Sequence, residues 1–139
     1  MRIFLDTNVL LSAHVGRGLS ADLFRLILAE HTLVLGDVVL RELTRILVDR
    51  FAVPPAEARR VERDLRQHEV VPRPDSPGPL RLRDPDDEWV LATAVTGQVD
   101  LLVTGDSDLL VAAAEAPVRI LSPRACWEML RSPGAPRST

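Results

Sequence analysis

The chain has 139 residues, 46% of them hydrophobic and 27% charged, with a formal net charge of −3. That is enough for one continuous core and too little for two ordinary domains, and the balance excludes a disordered polymer. The single cysteine, Cys126, excludes an internal disulfide and a cysteine-built metal cage, and the lack of any lysine excludes lysine nucleophiles, Schiff bases and phosphate-loop lysines.

The apolar start of the chain stops at Asp6, so it is expected to be neither a signal peptide nor a membrane span, and a cytoplasmic location is expected by default. From there, apolar runs of strand length alternate with stretches of helical period. The patterning predicts a strand over 2–5, helices near 7–14 and 20–30, a strand over 32–36 and a helix over 37–51. Pro54-Pro55 opens a helix to about His68, followed by a short strand at 69–72. The proline-rich run from Pro72 to Arg83 reads as an irregular surface connection. Beyond it come a helix over 86–97, a strand over 100–104, a helix over 107–114, a strand over 118–121 and a helix from about Pro123 to Arg131. Residues 132–139 read as a flexible tail, leaving one domain over 1–131.

This alternation predicts an α/β fold, a three-layer α/β/α sandwich around a short parallel sheet. In such sheets ligands bind beyond the carboxyl ends of the strands, where the strand order reverses, and Asp6 and Asp106 both follow strands directly. Each also suits a helix N-cap, and the two roles are compatible. Glu42 lies beside an apolar helical stripe that includes Val38, Val39 and Ile46, although a rim position paired with Arg41 or Arg45 explains it too. Asp87 is followed by Val90, Leu91 and Ala94 at helical spacing, which turns it toward the sheet. Its neighbours Asp86 and Glu88 are more simply explained as helix-start acids, Asp84, before a proline, as a turn or cap residue, and Asp37 as an N-cap.

Four carboxylates on one sheet edge repel one another, and divalent cations are their natural counterweight. Hard oxygen donors suit Mg²⁺ or Mn²⁺. The net charge does not exclude a nucleic-acid partner, because two such ions add about four positive charges locally. Candidate phosphate contacts are Arg17 in a Gly-Arg-Gly loop and Arg41 and Arg45 beside Glu42. The three histidines lack ligand spacing, and Trp89, Trp127, Phe24 and Phe51 are expected to be core or subunit contacts.

The ordered set Ile3-Phe4-Leu5-Asp6-Thr7-Asn8-Val9-Leu10, a mid-helix Glu42, Asp87 before Leu91-Ala92-Thr93-Ala94, and Leu102-Val103-Thr104-Gly105-Asp106-Ser107-Asp108-Leu109 resembles the PIN-domain nucleases. It looks like the VapC-like toxins of prokaryotic toxin–antitoxin pairs, and the likeness spans nearly the whole chain. The resemblance implies a Mg²⁺- or Mn²⁺-dependent endoribonuclease that leaves 5′-phosphate and 3′-hydroxyl ends, with Asp6, Glu42, Asp87 and Asp106 as catalytic metal ligands. It implies Thr7 or Asn8 steadying Asp6, Thr104 supporting Asp106, and Asp108 as a further supporting group. It also implies an RNA substrate, a small antitoxin partner that blocks the acidic pocket, and a homodimer. An RNA-processing nuclease without an antitoxin and a non-catalytic metal-binding interaction module are the other readings. Phosphotransfer domains also place acids at strand ends, but they normally need a lysine near the site.

Overall fold

The computed structural model describes residues 1–132, so all of the expected tail except Ser132 lies outside the described residues. The chain forms strands β1 (Arg2–Leu5), β2 (Thr32–Gly36), β3 (Glu69–Val71), β4 (Leu101–Val103) and β5 (Arg119–Leu121). Between and after them run helices α1 (Thr7–Val15), α2 (Leu19–Glu30), α3 (Asp37–Asp49), α4 (Pro55–Leu65), α5 (Pro85–Thr96), α6 (Ser107–Val111) and α7 (Pro123–Arg131). A single 3₁₀ turn, Ala112–Ala114, extends α6.

All strand pairs are parallel and the sheet order is β3-β2-β1-β4-β5. The chain therefore winds outward from β1 to β3, then crosses back over β1 to begin the other half at β4. Right-handed crossovers put α1 to α4 on one face and α5 and α6 on the other, giving the three layers expected from sequence. The switch point falls between β1 and β4, the strands that carry Asp6 and Asp106 beyond their ends.

Central position explains composition. Ile3, Phe4 and Leu5 of β1 are fully buried, as a strand covered on both faces must be, and Leu101, Leu102 and Val103 beside them are nearly so. The outer strands begin with charged residues, Glu69 and Arg119, which blunt exposed edges. Arg2 ties the lower rim together through an ion pair with Glu69, while its backbone N–H donates to Asp100 at 2.7 Å.

Helix ends follow local chemistry. Asp84 caps α5 by accepting from the Asp86 N–H at 2.9 Å, with Pro85 in the first turn, and Ser122 caps α7 by accepting from the Ala125 N–H at 3.1 Å. In α3 the buried residues Val39, Leu40, Leu43, Ile46 and Leu47 make one apolar stripe. Asp37 is not its N-cap: that place belongs to Gly36, and the Asp37 carboxylate accepts instead from Arg41 at 2.8 Å and Arg66 at 2.7 Å. The Arg66 bond ties α4 to α3, and the two arginines hold Asp37 below the ordinary carboxylate range despite partial burial. Gly36 itself is required by packing, because a Cβ there would lie 2.9 Å from Thr93 Cγ2 and 3.0 Å from Phe4 Cζ. Among the described residues no helix is long and apolar enough to cross a membrane.

Candidate metal centre

At the end of β1 the chain turns straight into α1, and Asp6 becomes the helix N-cap. Its backbone N–H still belongs to the sheet, donating to Val103 O at 3.0 Å. Its carboxylate is 5% exposed and fully engaged: the Thr7 N–H donates to Oδ1 and the Thr104 hydroxyl to Oδ2, each at 2.7 Å. Burial raises the Asp6 pKa, the Asp106 charge adds to the rise, and those two hydrogen bonds oppose it.

Thr104 does double duty. Having donated to Asp6, the same hydroxyl oxygen accepts from the Asp106 N–H at 3.0 Å. The side-chain support expected for Asp106 thus reaches the Asp6 carboxylate, while Asp106 is held by its backbone. Asn8 likewise does not touch Asp6; its Oδ1 accepts from the Gly105 N–H at 3.0 Å and links the α1 terminus to the loop after β4. Thr7 steadies Asp6 through its amide, and its own hydroxyl is buried without a partner.

Asp106 caps α6 by accepting from the Asp108 N–H at 2.8 Å. One oxygen of each of Asp87, Asp106 and Asp108 lies within 4.8 Å of the others, the one such carboxylate cluster among the described residues. Asp108, expected only as support, therefore stands closer to Asp87 and Asp106 than sequence indicated. Asp6 and Glu42 do not join that cluster, but they line the same cleft, about 210 Å³ in volume, with Asp87 and Asp106.

Asp87 carries the strongest electrostatic signature. It is 7% exposed, its Oδ2 is buried without a hydrogen-bond partner, and its pKa is pushed up to about 7. Burial is the largest cause, followed by the charges of Asp106 and Asp84. Glu42 is also raised, first by burial and then by Asp6, with Arg45 opposing. A buried, orphaned carboxylate oxygen facing other acids is an unfavourable arrangement for a protein alone. A small hard cation removes the cost, so the residues present fit Mg²⁺ or Mn²⁺.

Three further residues of the cleft were not singled out from sequence. Asp84, read as a turn or cap residue, and Asp86, read as a helix-start acid, line it as well. So does Arg50, which follows Glu42 and Ile46 at successive four-residue steps along α3 and its cap, a spacing that marks one helix face. Arg41 and Arg45 lie outside this cleft, in an adjoining groove, and Arg17 is exposed in the loop between α1 and α2. Glu42 has no ion pair with either arginine; Arg41 is taken by Asp37.

Fold and site together define a doubly wound α/β domain whose switch point holds a cleft of carboxylates suited to hard cations. A family model for the PIN domain matches residues 2–108, and the chain belongs to the PIN-domain family. No curated protein matches the sequence. Among solved structures the fold is similar to that of a chain in VapBC2 from Rickettsia felis bound to a DNA fragment from their promoter, with a TM-score of 0.63 and 14% identity over 88% of this chain and 98% of that one. It is also similar to chains in FitAB bound to an IR36 DNA fragment (TM-score 0.58, 18% identity, 87% of this chain and 94% of that one) and in FitAcB from Neisseria gonorrhoeae (0.58, 19%, 88% and 98%).

Proposed function

We propose that the protein is a Mg²⁺- or Mn²⁺-dependent endoribonuclease and the toxin of a toxin–antitoxin pair. The observation that carries the nuclease reading is the buried Asp87 carboxylate, with one oxygen orphaned and its pKa pushed up to about 7, facing Asp106 and Asp108 at the switch point, in a chain of the PIN family. The toxin reading rests on family membership and on the likeness of fold to chains of VapBC and FitAB assemblies. By the same reasoning the chain forms a single domain over residues 1–131, and its partners are RNA, a small antitoxin that covers the cleft, and a second copy of the chain.

In this reading Asp6, Glu42, Asp87 and Asp106 hold the metal, with Asp108 beside them. When bound, the metal neutralises phosphate charge and lowers the pKa of an attacking water. The protein's own part is placement. Thr7 and Thr104 fix both oxygens of Asp6, and the α6 amide fixes one oxygen of Asp106, so neither acid must reorganise on loading. Burial and the neighbouring acids favour the protonated form of Asp87, and it gives up that proton as the cation enters. Arg41 and Arg45 lie where they can bind phosphates flanking the scissile bond. Water oxygen bonds to phosphorus as the bond to the 3′ oxygen breaks, and a proton goes to that oxygen, leaving 5′-phosphate and 3′-hydroxyl ends.

The test is cleavage of single-stranded RNA with Mg²⁺ or Mn²⁺ by the wild type and by Asp6→Asn and Asp106→Asn. Loss of at least about a hundredfold in rate, with unchanged circular dichroism, is expected. Full activity in either variant, or wild-type cleavage undiminished by a chelator, rejects the proposal. Growth arrest relieved by co-expression of the adjacent reading frame tests the toxin role.

A further inference from the structure

Beside the acidic cleft runs a second depression of about 360 Å³, with Arg41, Arg45, Arg73 and Trp89 on its walls. The two share Glu42, Asp86 and Val90, so a chain lying in one leads directly into the other. Their charge balance differs: the cleft sets six carboxylates against Arg50, and the groove three guanidinium groups against Glu42 and Asp86. Of the three, Arg41 is paired with Asp37, while Arg45 and Arg73 have no carboxylate within ion-pair distance among the described residues.

Trp89, expected in the core or at a subunit contact, is not among the residues packed in the core. It is half-buried in the groove wall, on the helix that presents Asp87, and the Arg73 guanidinium carbon lies 3.8 Å from its ring centroid. Phe24 and Trp127, by contrast, pack against the core. A guanidinium stacked on an indole is a flat, cationic, π-rich surface, which receives the face of an unpaired base while the free N–H groups take its phosphate.

We propose that Arg73 and Trp89 form a base-stacking subsite for a nucleotide flanking the scissile phosphate, with Arg45 on its backbone, and that this subsite makes the enzyme select single-stranded RNA. The inference rests on the nuclease reading and adds to it a substrate geometry. A base held in a duplex has both faces covered and cannot use the platform, so paired RNA gains only phosphate contacts there. Stacking accepts any base, so this subsite sets strandedness and leaves sequence preference to other contacts.

Trp89 and Trp127 are the two tryptophans of the chain, so in a Trp127→Phe, Asp6→Asn background the indole fluorescence belongs to Trp89. Titration with a ten-nucleotide single-stranded RNA in Mg²⁺ is expected to quench that fluorescence, while an abasic strand or a blunt duplex of equal length quenches little. Arg73→Gln, at an exposed side chain, and Trp89→Leu are each expected to weaken single-strand binding about tenfold. Arg73→Gln should also lower the slope of log affinity against log salt by about 0.7, one phosphate contact on a single strand. If the wild type cuts RNA but Trp89 fluorescence is unchanged and Arg73→Gln binds as tightly as its parent, the subsite is refuted and the nuclease reading stands. If RNA is neither bound nor cut, both fall. Quenching by a polyglutamate peptide and not by RNA assigns the groove to an acidic protein partner and overturns the proposal.

Discussion

Replacing Asp87 by Asn should make the metal-free protein more stable while destroying the metal site. The folded protein binds the Asp87 proton up to about pH 7, against 3.8 for a free aspartate side chain, so it holds more protons there than the unfolded chain. Stability must then fall as pH rises through that window and reach its lowest contribution above about pH 7. A shift of about three units corresponds to a ceiling of about 4 kcal/mol. Coupling among the acids and water in the open cleft reduce this, so a gain of about 1–3 kcal/mol is expected for Asp87→Asn at pH 8, or roughly 3–10 °C in Tm for a domain of this size. At pH 5 only about a third of the titration window has been crossed, and the gain should shrink in proportion. Thermal unfolding of both proteins in a chelator at pH 8 and pH 5 measures this directly. Added Mn²⁺ should raise the wild-type Tm well above its metal-free value and barely move the variant. An Asn variant that is less stable at pH 8, or whose gain is the same at both pH values, refutes the account of Asp87 as a repelled, buried acid.

Other outcomes follow from the same geometry. Apparent Mn²⁺ affinity, measured by calorimetry, should be about tenfold weaker at pH 6 than at pH 8, because the cation must displace the Asp87 proton below about pH 7. Thr104→Val removes a donor from Asp6 and an acceptor from the Asp106 N–H, and should cost about 1–3 kcal/mol in urea unfolding, with Thr104→Ser recovering most of it. Gly36→Ala should cost about 1–3 kcal/mol, since its Cβ would press on Thr93 and Phe4 in a closed core; an unchanged midpoint would mean the β2 end relaxes freely.

Much of this architecture is written locally. Strands at the sheet centre need apolar residues on both faces, so Ile3-Phe4-Leu5 and Leu101-Leu102-Val103 declare themselves, and an acid directly after each locates the switch point. Helix ends are less legible. The helix expected to reach residue 51 closes at Asp49, because the chain turns and Ala52 takes a left-handed φ of 51°. The helix expected over 107–114 is α-helical only to Val111 and then tightens into a 3₁₀ turn. At the candidate site, residue type and helical spacing marked Asp6, Glu42, Asp87 and Asp106. They did not reveal that the Thr104 hydroxyl crosses to β1, that Asp37 pairs with α4, or that Arg73 folds over Trp89. Each of those depends on which segments become neighbours in space, and no local pattern records it.

The direct pairing of β1 with β4, Leu5 opposite Val103, has one last consequence. The sheet's own pitch of about 4.8 Å acts as a ruler for the two acids that extend from those strands. Widening the gap between them would mean tearing ladder bonds in the middle of the molecule, not swinging a hinge. On the nuclease reading, such a cleft is poorly suited to inhibition by prying it apart, and an inhibitor would have to plug it.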